Sequence, residues 1–523
     1  MSGLGASGAA AVPALQPLVI GLASANPGVF PTLARQFVHK WASALSGEFR
    51  NVESDTPLFR FTLQLSGLYM RGFEEIYFLL VPPFLQTPLS SLPALLEQTD
   101  ASHPFIVLCP HRQQYASLSI GSFHGRVIIF SPEIISEILS SNGSRSREAF
   151  RRPIRNQIDA IRLHPFNTTQ PATGEMFFGR QEELNMLQTN EAAGFLITGP
   201  SRTGKTSLVQ QYLQICRRGK NPHTRNVFYL DLQVCAHLDE DRIARVFAMG
   251  IRDVPGITDR IQFSELRSFL CSIVHKVKEP LEIIIDEADA VCHTDLLLTV
   301  AEFAVSSGNR VIVVGRGAVR QFWRKHQASS FGRLHEIRFQ ALSADEAWQL
   351  FLRPIEALGL RVETPEETKQ TLLRYTSRNP HLVQGCAQLV VRQASTTNTC
   401  TITPSMLAPT DESFRDFSLL RTQLEDVHSD LARFAAVEVL KHSQEGLQVP
   451  TLIRAALCER GLACTMTEIY DACDDLVVNW LLGWEHANYA PPRWDLFKTA
   501  QHHRDYLDGV QRECLERLKA RGR

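Results

Sequence analysis

The sequence of 523 residues has almost no net charge and no long apolar run. Its 54 Lys and Arg residues are balanced by 55 Asp and Glu residues, so the formal net charge is −1. A chain balanced in this way has no global field that draws it to nucleic acid or to an anionic membrane. A membrane-spanning helix needs about 18 or more consecutive apolar residues, and the sequence contains no such run. No membrane association is expected, and contact with nucleic acid would require a local basic patch.

Paired cysteines and targeting signals are also missing. The eleven cysteines form no C-x-x-C pair, and Cys458, Cys464 and Cys473 are spaced too irregularly for a zinc cluster. Scattered cysteines without such spacing are typical of reduced, cytoplasmic proteins, and we predict that location. Residues 1–17 are rich in Gly, Ala, Ser and Pro and contain no Lys or Arg, so we predict a flexible leader and not a signal peptide.

One glycine-rich stretch organises the rest of the chain. Residues 199–206 fit the pattern G-x-x-x-x-G-K-[ST], between an apolar strand pattern and a helical one. In that context the loop amides and the helix N-terminus cradle phosphates, and the lysine reaches the β and γ phosphates. The alternative, a glycine-rich strand–helix turn, explains neither the lysine nor the threonine. The predicted nucleotide contacts are Gly199, Pro200, Ser201, Arg202, Thr203, Gly204, Lys205, Thr206 and Ser207.

A second stretch predicts a magnesium site and a catalytic carboxylate. Residues 281–289 read as an apolar strand that ends in Asp286 and Glu287. With the Thr206 hydroxyl, Asp286 is predicted to hold Mg²⁺, while Glu287 orients and polarises the attacking water. Lys205 also counts as catalytic because it contacts the phosphates. The alternative is an ordinary buried strand with an acidic end, which the spacing from the phosphate loop disfavours.

The motifs together resemble the AAA+ and STAND branch of P-loop ATPases over roughly residues 166–400. The box F-x-G-R-x-x-E-L begins at Phe177, and in the family it packs near the adenine. The resemblance therefore implies that Gly179 and Arg180 contact the nucleotide and that ATP is preferred to GTP, while the spacing itself leaves the base open. Residues 309–316 form a strand pattern ending in Arg316, as in STAND proteins, which makes Arg316 a candidate γ-phosphate sensor. The alternative for Arg316 is a plain surface arginine.

Two further site residues follow from the same resemblance. Arg333 occupies roughly the arginine-finger region, where an arginine stabilises transition-state charge on a neighbouring subunit; the alternative is a solvated arginine. Residues 377–384 are similar to the G-N-P-x-x-x-Q turn that starts a lid helix, which implies a nucleotide contact for Pro380. The glycine of that turn is missing, and Arg378 stands in its place.

The N-terminal third is predicted to be an α/β domain without a catalytic constellation. Residues 17–22 read as a strand, residues 31–44 as a helix, and residues 92–98 as a short helix. Further strands are predicted at residues 59–65, 76–81, 105–108 and 126–130, and we expect a parallel sheet. A basic amphipathic connector follows, which either packs on the ATPase as a linker helix with a solvated basic face or contacts nucleic acid or an acidic partner. Its arginines are Arg145, Arg147, Arg151, Arg152, Arg155 and Arg162.

The C-terminal stretch predicts a winged helix. Three helical patterns at residues 424–440, 449–460 and 466–482 precede two strands, at residues 484–489 and 494–496, with a loop at residues 488–492. The third helix carries acidic residues where a DNA-reading helix would need basic ones: Glu468, Asp471, Asp474 and Asp475. Because an acidic face repels phosphate, a packing or oligomerisation module is favoured over DNA binding.

The predicted fold is α/β, with a P-loop NTPase parallel sheet core, a helical lid, an N-terminal α/β domain and a C-terminal winged helix. The predicted boundaries are residues 1–17 (leader), 18–143 (α/β domain), 144–165 (linker), 166–340 (ATPase core), 341–414 (lid) and 415–523 (winged helix). The predicted function is a Mg-ATP-binding and slowly hydrolysing switch that self-associates or signals to a protein partner or effector, with defence as one setting. The alternatives are a DNA-directed AAA+ regulator and a nucleotide-binding scaffold without turnover.

Overall fold

The computed structural model describes most of the chain. The described residues are 16–53, 59–73, 75–84, 105–119, 127–190, 192–218, 226–250, 261–277, 280–306, 308–407, 418–425, 427, 429–442, 448–478, 481–485, 488–490 and 503–521. They form two compact units. The first comprises residues up to Phe166 together with Phe351–Thr364 and Ala387–Thr403, and the second comprises Asn167–Leu350, Pro365–Cys386 and the chain from Pro404 onward. No helix among these residues is both long enough and apolar enough to cross a bilayer.

The first unit is built on a mixed five-stranded sheet in the sequential order β1-β2-β3-β4-β5. The first three strands pair antiparallel, and β3, β4 and β5 pair parallel, so the expectation of a parallel sheet is correct for only one half. The short connection from β2 to β3 allows only the antiparallel arrangement, because parallel neighbours need a longer crossover. The strands are β1 (Glu48–Glu53), β2 (Phe59–Gln64), β3 (Glu75–Leu80), β4 (Phe105–Leu108) and β5 (Val127–Phe130).

Helices cover this sheet, and one of them corrects a prediction. Residues 17–22 were expected to be a strand, but they belong to helix α1 (Pro17–Ala23). Pro17 suits the first turn of a helix, and Val19 and Leu22, spaced three apart, are both fully buried. The predicted helix at residues 92–98 lies outside the described residues. The other helices of this part are α2 (Phe30–Leu45), α3 (Arg112–Ser119) and α4 (Pro132–Ser140), and Ser131 caps the last of them.

The basic connector forms helices α5 (Ser144–Gln157) and α6 (Ala160–Leu163). Phe150 of α5 is fully buried, with ring centroids 5.3 Å from Phe130 and 6.4 Å from Trp41. Several connector arginines are bonded within the same unit: Arg151 donates to the Gly67 carbonyl, and Arg155 pairs with Glu148. These contacts pack the connector into the first unit, whereas the linker-helix interpretation expects it to pack on the ATPase.

The second unit contains a parallel five-stranded sheet in the order β10-β6-β9-β8-β7. Numbered along the chain from β6, this order is 5-1-4-3-2, and every neighbouring pair is parallel. The strands are β6 (Gly194–Thr198), β7 (Asn226–Asp231), β8 (Leu281–Asp286), β9 (Arg310–Gly315) and β10 (His335–Arg338). Their carboxyl ends share one edge, where α/β sheets bind ligands.

Both faces of this sheet are covered, which explains why its strands read as continuous apolar runs. Alternate strand residues belong to two hydrophobic clusters, with Ile283 and Ile285 on one face and Ile284 on the other. The helices of this core are α7 (Gln181–Thr189), α8 (Lys205–Arg217), α9 (Glu240–Gly250), α10 (Leu266–Val277), α11 (Leu296–Ser306) and α12 (Gly317–Lys325). Rigid packing on both faces fixes the strand ends that carry the candidate site.

The lid region is helical and belongs to both units. Its helices are α13 (Ala344–Ala357), α14 (Pro365–Thr376) and α15 (Pro380–Thr396), and two short parallel strands, β11 (Arg361–Val362) and β12 (Thr401–Ile402), lie between and after them. Ser343 caps α13 through a reciprocal pair of hydrogen bonds with Glu346. Within the first unit, Gln388 of α15 donates to the Phe166 carbonyl at 2.9 Å and Ser395 donates to Asp159 at 3.1 Å.

The C-terminal part of the second unit is a helical cluster with a small hairpin. Helices α16 (Ser418–Glu425), α17 (Asp430–His442), α18 (Val449–Glu459), α19 (Met466–Val478) and α20 (Arg504–Ala520) share one hydrophobic cluster. Strands β13 (Gly483–Glu485) and β14 (Asn488–Ala490) pair antiparallel. Strand β14 therefore lies where the sequence predicts a loop, at residues 488–492. The strand predicted at residues 494–496 lies outside the described residues. Helices followed by a hairpin have the order expected of a winged helix, a designation that stays a prediction.

Candidate functional site: a phosphate loop and an acidic strand end

The phosphate loop connects β6 to α8 and depends on two glycines. Gly204 has φ +96°, a conformation that favours glycine, directly before Lys205 opens the helix. A Cβ atom on Gly199 would lie 2.7 Å from Cβ of Phe339, so only glycine fits this close approach. The loop therefore turns tightly and delivers the N-terminus of a 13-residue helix to the carboxyl edge of the sheet.

Lys205 lies folded against the loop that it follows. Its Nζ donates to the carbonyl oxygens of Gly199 at 2.9 Å and Pro200 at 2.7 Å. Burial lowers the pKa of Lys205, and the nearby carboxylates of Asp289 and Glu287 act in the opposite direction. The ammonium group is thus held at the loop among acidic neighbours, which is the position from which it can meet a phosphate.

A cavity of about 430 Å³ lies beside this loop, a size typical of small-molecule sites. The predicted site residues on its wall are Arg180, Ser201, Arg202, Thr203, Gly204, Lys205, Thr206, Ser207, Glu287 and Pro380. Another side of the cavity is lined by the segment that begins the second unit, including Asn167, Met176 and Phe178. This segment is tied to the helix of the loop, because the Ala172 amide donates to Ser207 Oγ at 3.0 Å. One cavity thus brings together most of the predicted nucleotide contacts.

Asp286 ends β8 and is held by several donors. It is 2% exposed, and its Oδ1 accepts from the Glu287 amide at 2.9 Å while Oδ2 accepts from Tyr229 Oη at 3.1 Å. Burial raises the pKa of Asp286, and hydrogen bonds from Glu287, Thr206 and Tyr229 oppose that rise. A hydroxyl and a carboxylate in mutual contact are hard oxygen donors, and Mg²⁺ commonly takes one or two such groups together with phosphate and water. The donor set therefore fits Mg²⁺.

Glu287 follows in a left-handed conformation, with φ +51°. A non-glycine residue in this region is uncommon and often marks a functional position. Burial raises the pKa of Glu287, whereas Arg316 and Lys205 act in the opposite direction. Arg316 Nη2 lies 3.6 Å from Glu287 Oε2, so the candidate sensor and the candidate catalytic carboxylate are adjacent.

Asp289 is a residue that the sequence analysis left without a role. Its carboxylate accepts from the Arg316 amide at 2.6 Å and from the Val319 amide at 3.1 Å, and thereby holds the start of α12. Its Oδ2 also lies 3.7 Å from Arg316 Nε. The acidic spacing in residues 286–289 was the available signal, but the partner amides lie at the start of α12, and only the fold identifies them.

Arg180, Gly179 and Arg333 differ in how close they lie to the cavity. Arg180 is buried on its wall, with its guanidinium 4.4 Å from the Phe339 ring centroid and 3.1 Å from Glu183. Gly179 lies between two lining residues and does not line the cavity itself. Arg333 ends a short turn, is exposed, and is absent from the cavity wall. The arginine-finger role of Arg333 stays a prediction.

The lid contributes the first turn of α15. Pro380, His381 and Gln384 line the cavity, and Gln384 Oε1 accepts from the Asn167 amide at 3.0 Å. The turn before it is strained, because Arg378 has φ +61°, as expected where the glycine of the resembled turn is missing. The Arg378 carbonyl accepts from the Leu342 amide at 3.2 Å. His381, which the sequence analysis did not single out, is therefore part of the wall.

Comparisons with known proteins give only distant similarities. No protein-family model matches the chain, and no curated protein matches it. Among solved structures, the Walker-type ATPase of Pyrococcus abyssi is 15% identical, covers 64% of this chain and 99% of its own, and has a TM-score of 0.48. The ORC2 protein of Aeropyrum pernix is 12% identical, covers 68% and 98%, and has a TM-score of 0.46.

A third solved structure is the ORC1 protein of Aeropyrum pernix in complex with DNA. It is 13% identical, covers 66% of this chain and 94% of its own, and has a TM-score of 0.37. Since all three TM-scores lie below 0.5, the assignment rests on the strand order, the phosphate loop and the acidic strand end of this chain. Its fold is α/β, with the parallel sheet core of the P-loop nucleoside triphosphatases.

Proposed function

We propose that this protein is a Mg-ATP-binding and hydrolysing switch. The observation that carries the proposal is the placement of Lys205, Thr206 and Glu287 on one cavity, with Asp286 bonded to Thr206. Lys205 and the loop amides bind the phosphates, and Thr206 and Asp286 hold the metal. When bound, Mg²⁺ neutralises charge that develops on the phosphate oxygens. Glu287 orients the attacking water, and Arg316, 3.6 Å away, senses the terminal phosphate.

The switch function is supported by helix α15. Its first turn lines the cavity, and its residues from Ala387 onward belong to the first unit, where Gln388 and Ser395 are hydrogen-bonded. A helix is a stiff element, so a lid movement that follows the bound nucleotide is transmitted along it. We propose that the nucleotide state controls the conformation of the N-terminal unit in this way and that the outcome is self-association or binding of a protein effector. Arg333 would then act on a neighbouring subunit.

The acidic helix α19 favours this proposal over a DNA-directed one. Gln321 of α12 donates to Asp475 of α19 at 3.2 Å, and Arg324 and Arg320 act electrostatically on the same carboxylate. The acidic face is thus used, at least in part, against basic residues of its own unit. A helix engaged in this way is suited to packing and is unsuited to approaching a phosphate backbone.

The test is light scattering after size-exclusion chromatography, with and without Mg-ATP. We expect Glu287→Gln, which binds ATP without turnover, to shift to a defined oligomer with ATP, and Lys205→Ala to stay unchanged. A monomer under every condition contradicts assembly by ATP alone. Equal ATPase rates for wild type and Glu287→Gln would favour a scaffold without turnover. Strongly salt-dependent DNA retention in filter binding would favour the DNA-directed alternative.

A further inference from the structure

The Mg²⁺ ligand Asp286 has a neighbour that the proposed reaction has not used. Tyr229 lies on β7, which pairs with β8 so that Asp231 stands opposite Asp286. Tyr229 precedes Asp231 by two residues, and the phenol Oη of Tyr229 donates to Asp286 Oδ2 at 3.1 Å. This bond joins two neighbouring strands at the carboxyl edge of the sheet, where the cavity lies.

The same phenol is also bonded to the helix of the phosphate loop. The Gln210 side chain hydrogen-bonds to Tyr229, and Thr206 hydrogen-bonds to Asp286. Thr206 and Gln210 are four residues apart on α8, so both side chains lie on one face of that helix. The contacts close a ring of four side chains from α8, β7 and β8. The carboxylate of Asp286 is therefore fixed in rotation by groups on two sides.

We propose that Tyr229 is a positioning residue for Mg²⁺, acting through Asp286. The inference rests on the proposed nucleotide function of the same site. The Tyr229 hydroxyl bonds to Asp286, which is itself bonded to Thr206, and Asp286 and Thr206 are the two groups that would hold the ion. Groups that orient a metal ligand in this way typically change metal affinity by about 10–100-fold when they are removed.

The chain offers a matched control in Tyr212. Its Oη donates to Glu282 at 2.8 Å, so it also binds a buried carboxylate of β8, but at the start of that strand and within the core. Tyr229→Phe and Tyr212→Phe each remove one hydroxyl and keep the ring. Only the first removes a bond to the predicted metal ligand, so the pair separates positioning from general loss of a buried hydrogen bond.

The experiment measures binding of a fluorescent ATP analogue to the full chain while Mg²⁺ is titrated, and repeats it in EDTA. We expect Tyr229→Phe to raise the half-saturating Mg²⁺ concentration about tenfold, with unchanged binding in EDTA. Turnover at saturating Mg²⁺ should return close to the wild-type value. Gln210→Ala should shift the Mg²⁺ requirement in the same direction by a smaller factor. Tyr212→Phe should keep the wild-type requirement, whatever its melting temperature.

Two results would overturn the inference in distinguishable ways. If wild type binds ATP with a Mg²⁺ requirement that Tyr229→Phe shares, the positioning role is wrong and the proposed function stands. A Tyr212→Phe shift equal to that of Tyr229→Phe would also refute it, because the effect would then be general to the core. If wild type binds no nucleotide in Mg²⁺ or in EDTA, the proposed function fails and the inference fails with it.

Discussion

The guanidinium Nη1 of Arg202 lies 3.0 Å from Nε2 of His381. Arg202 belongs to the phosphate loop and has φ +61°, whereas His381 stands in the first turn of α15. Because arginine is always protonated and only donates, the imidazole Nε2 is the acceptor and the neutral tautomer carries its proton on Nδ1. This bond is a direct link between the loop and the lid on the wall of one cavity.

Loss of this link should speed nucleotide release. We expect His381→Ala to raise the dissociation rate constant of a fluorescent nucleotide about fivefold, since an exposed charge-assisted bond contributes about 1 kcal/mol. His381→Gln keeps an acceptor and should restore most of the wild-type rate. Lys369→Ala, which breaks a lid ion pair with Asp345 away from the cavity, is the control. Stopped-flow displacement measures all three, and an unchanged rate in His381→Ala would refute the link.

The strained turn before α15 predicts the effect of a change to glycine. Arg378 has φ +61°, and a side chain in this region costs about 1 kcal/mol relative to glycine. Arg378→Gly should therefore keep or raise the melting temperature, and Arg378→Val should lower it. If Arg378→Gly instead weakens ATP binding more than about fivefold at unchanged stability, the side chain contacts the nucleotide. Thermal unfolding and a binding titration on the same preparations distinguish these outcomes.

A buried ion pair in the sheet predicts a large loss of stability. Arg310 and Glu282 stand opposite each other on β9 and β8, both with 0% exposure, and Arg310 Nε lies 3.3 Å from Glu282 Oε1. Arg310 also donates to the Leu187 carbonyl at 2.7 Å. Arg310→Met should cost about 3–5 kcal/mol, because it removes the cation that balances the buried charge of Glu282. Urea unfolding measures this loss, and adding Glu282→Gln to Arg310→Met should recover part of it. If Arg310→Met alone were as stable as wild type, the ion pair would not stabilise the sheet.

The contact between α19 and α12 predicts how stability depends on pH. Burial raises the pKa of Asp475, and Arg324 opposes that rise. A carboxyl group whose pKa is raised on folding contributes stability below its unfolded pKa, about 3.9, and loses that contribution as pH increases through the folded pKa. At pH 7 the ionised carboxylate of Asp475 therefore lowers the free energy of unfolding. Asp475→Asn should raise the melting temperature at pH 7 by about 1–2 °C, with the difference vanishing toward pH 4.

Asp508 provides the control of opposite sign. The hydrogen bond from Lys441 lowers the pKa of Asp508, so its contribution to stability is present above the unfolded pKa and is lost at lower pH. Asp508→Asn should give no gain at pH 7. Equal gains for both variants in melting experiments across pH 4–8 would show that the effect comes from net charge and not from the contact between α19 and α12.

The local patterns of the sequence were enough to predict the P-loop core. The glycine loop and the acidic strand end are each defined by adjacent residues, and the structure places Lys205 and Glu287 on one cavity wall. The N-terminal residues 17–22 were misjudged because a short apolar run fits a buried strand or a helix equally well. Their helix is decided by packing of Val19 and Leu22 in the core.

The residues that were missed share one property, which is that their partners are distant in sequence. Tyr229 contacts Asp286, which is 57 positions away in the sequence, and Arg202 contacts His381, which is 179 positions away. A tyrosine in an apolar strand gives no local signal of such a contact, and neither does a histidine in the first turn of a helix. Asp289 had a signal in its acidic neighbours, but its role depends on two amides at the start of α12.

The first unit is discontinuous along the chain, and this determines how the protein can be divided. Its segments Phe351–Thr364 and Ala387–Thr403 return after the P-loop core has been completed, so the chain passes between the two units several times. A truncated chain ending near residue 166 would lose the groups that Phe166 and Asp159 bind, namely Gln388 and Ser395. The N-terminal unit is thus not an exchangeable module, and grafting it onto another ATPase would require the returning lid segments to be moved with it.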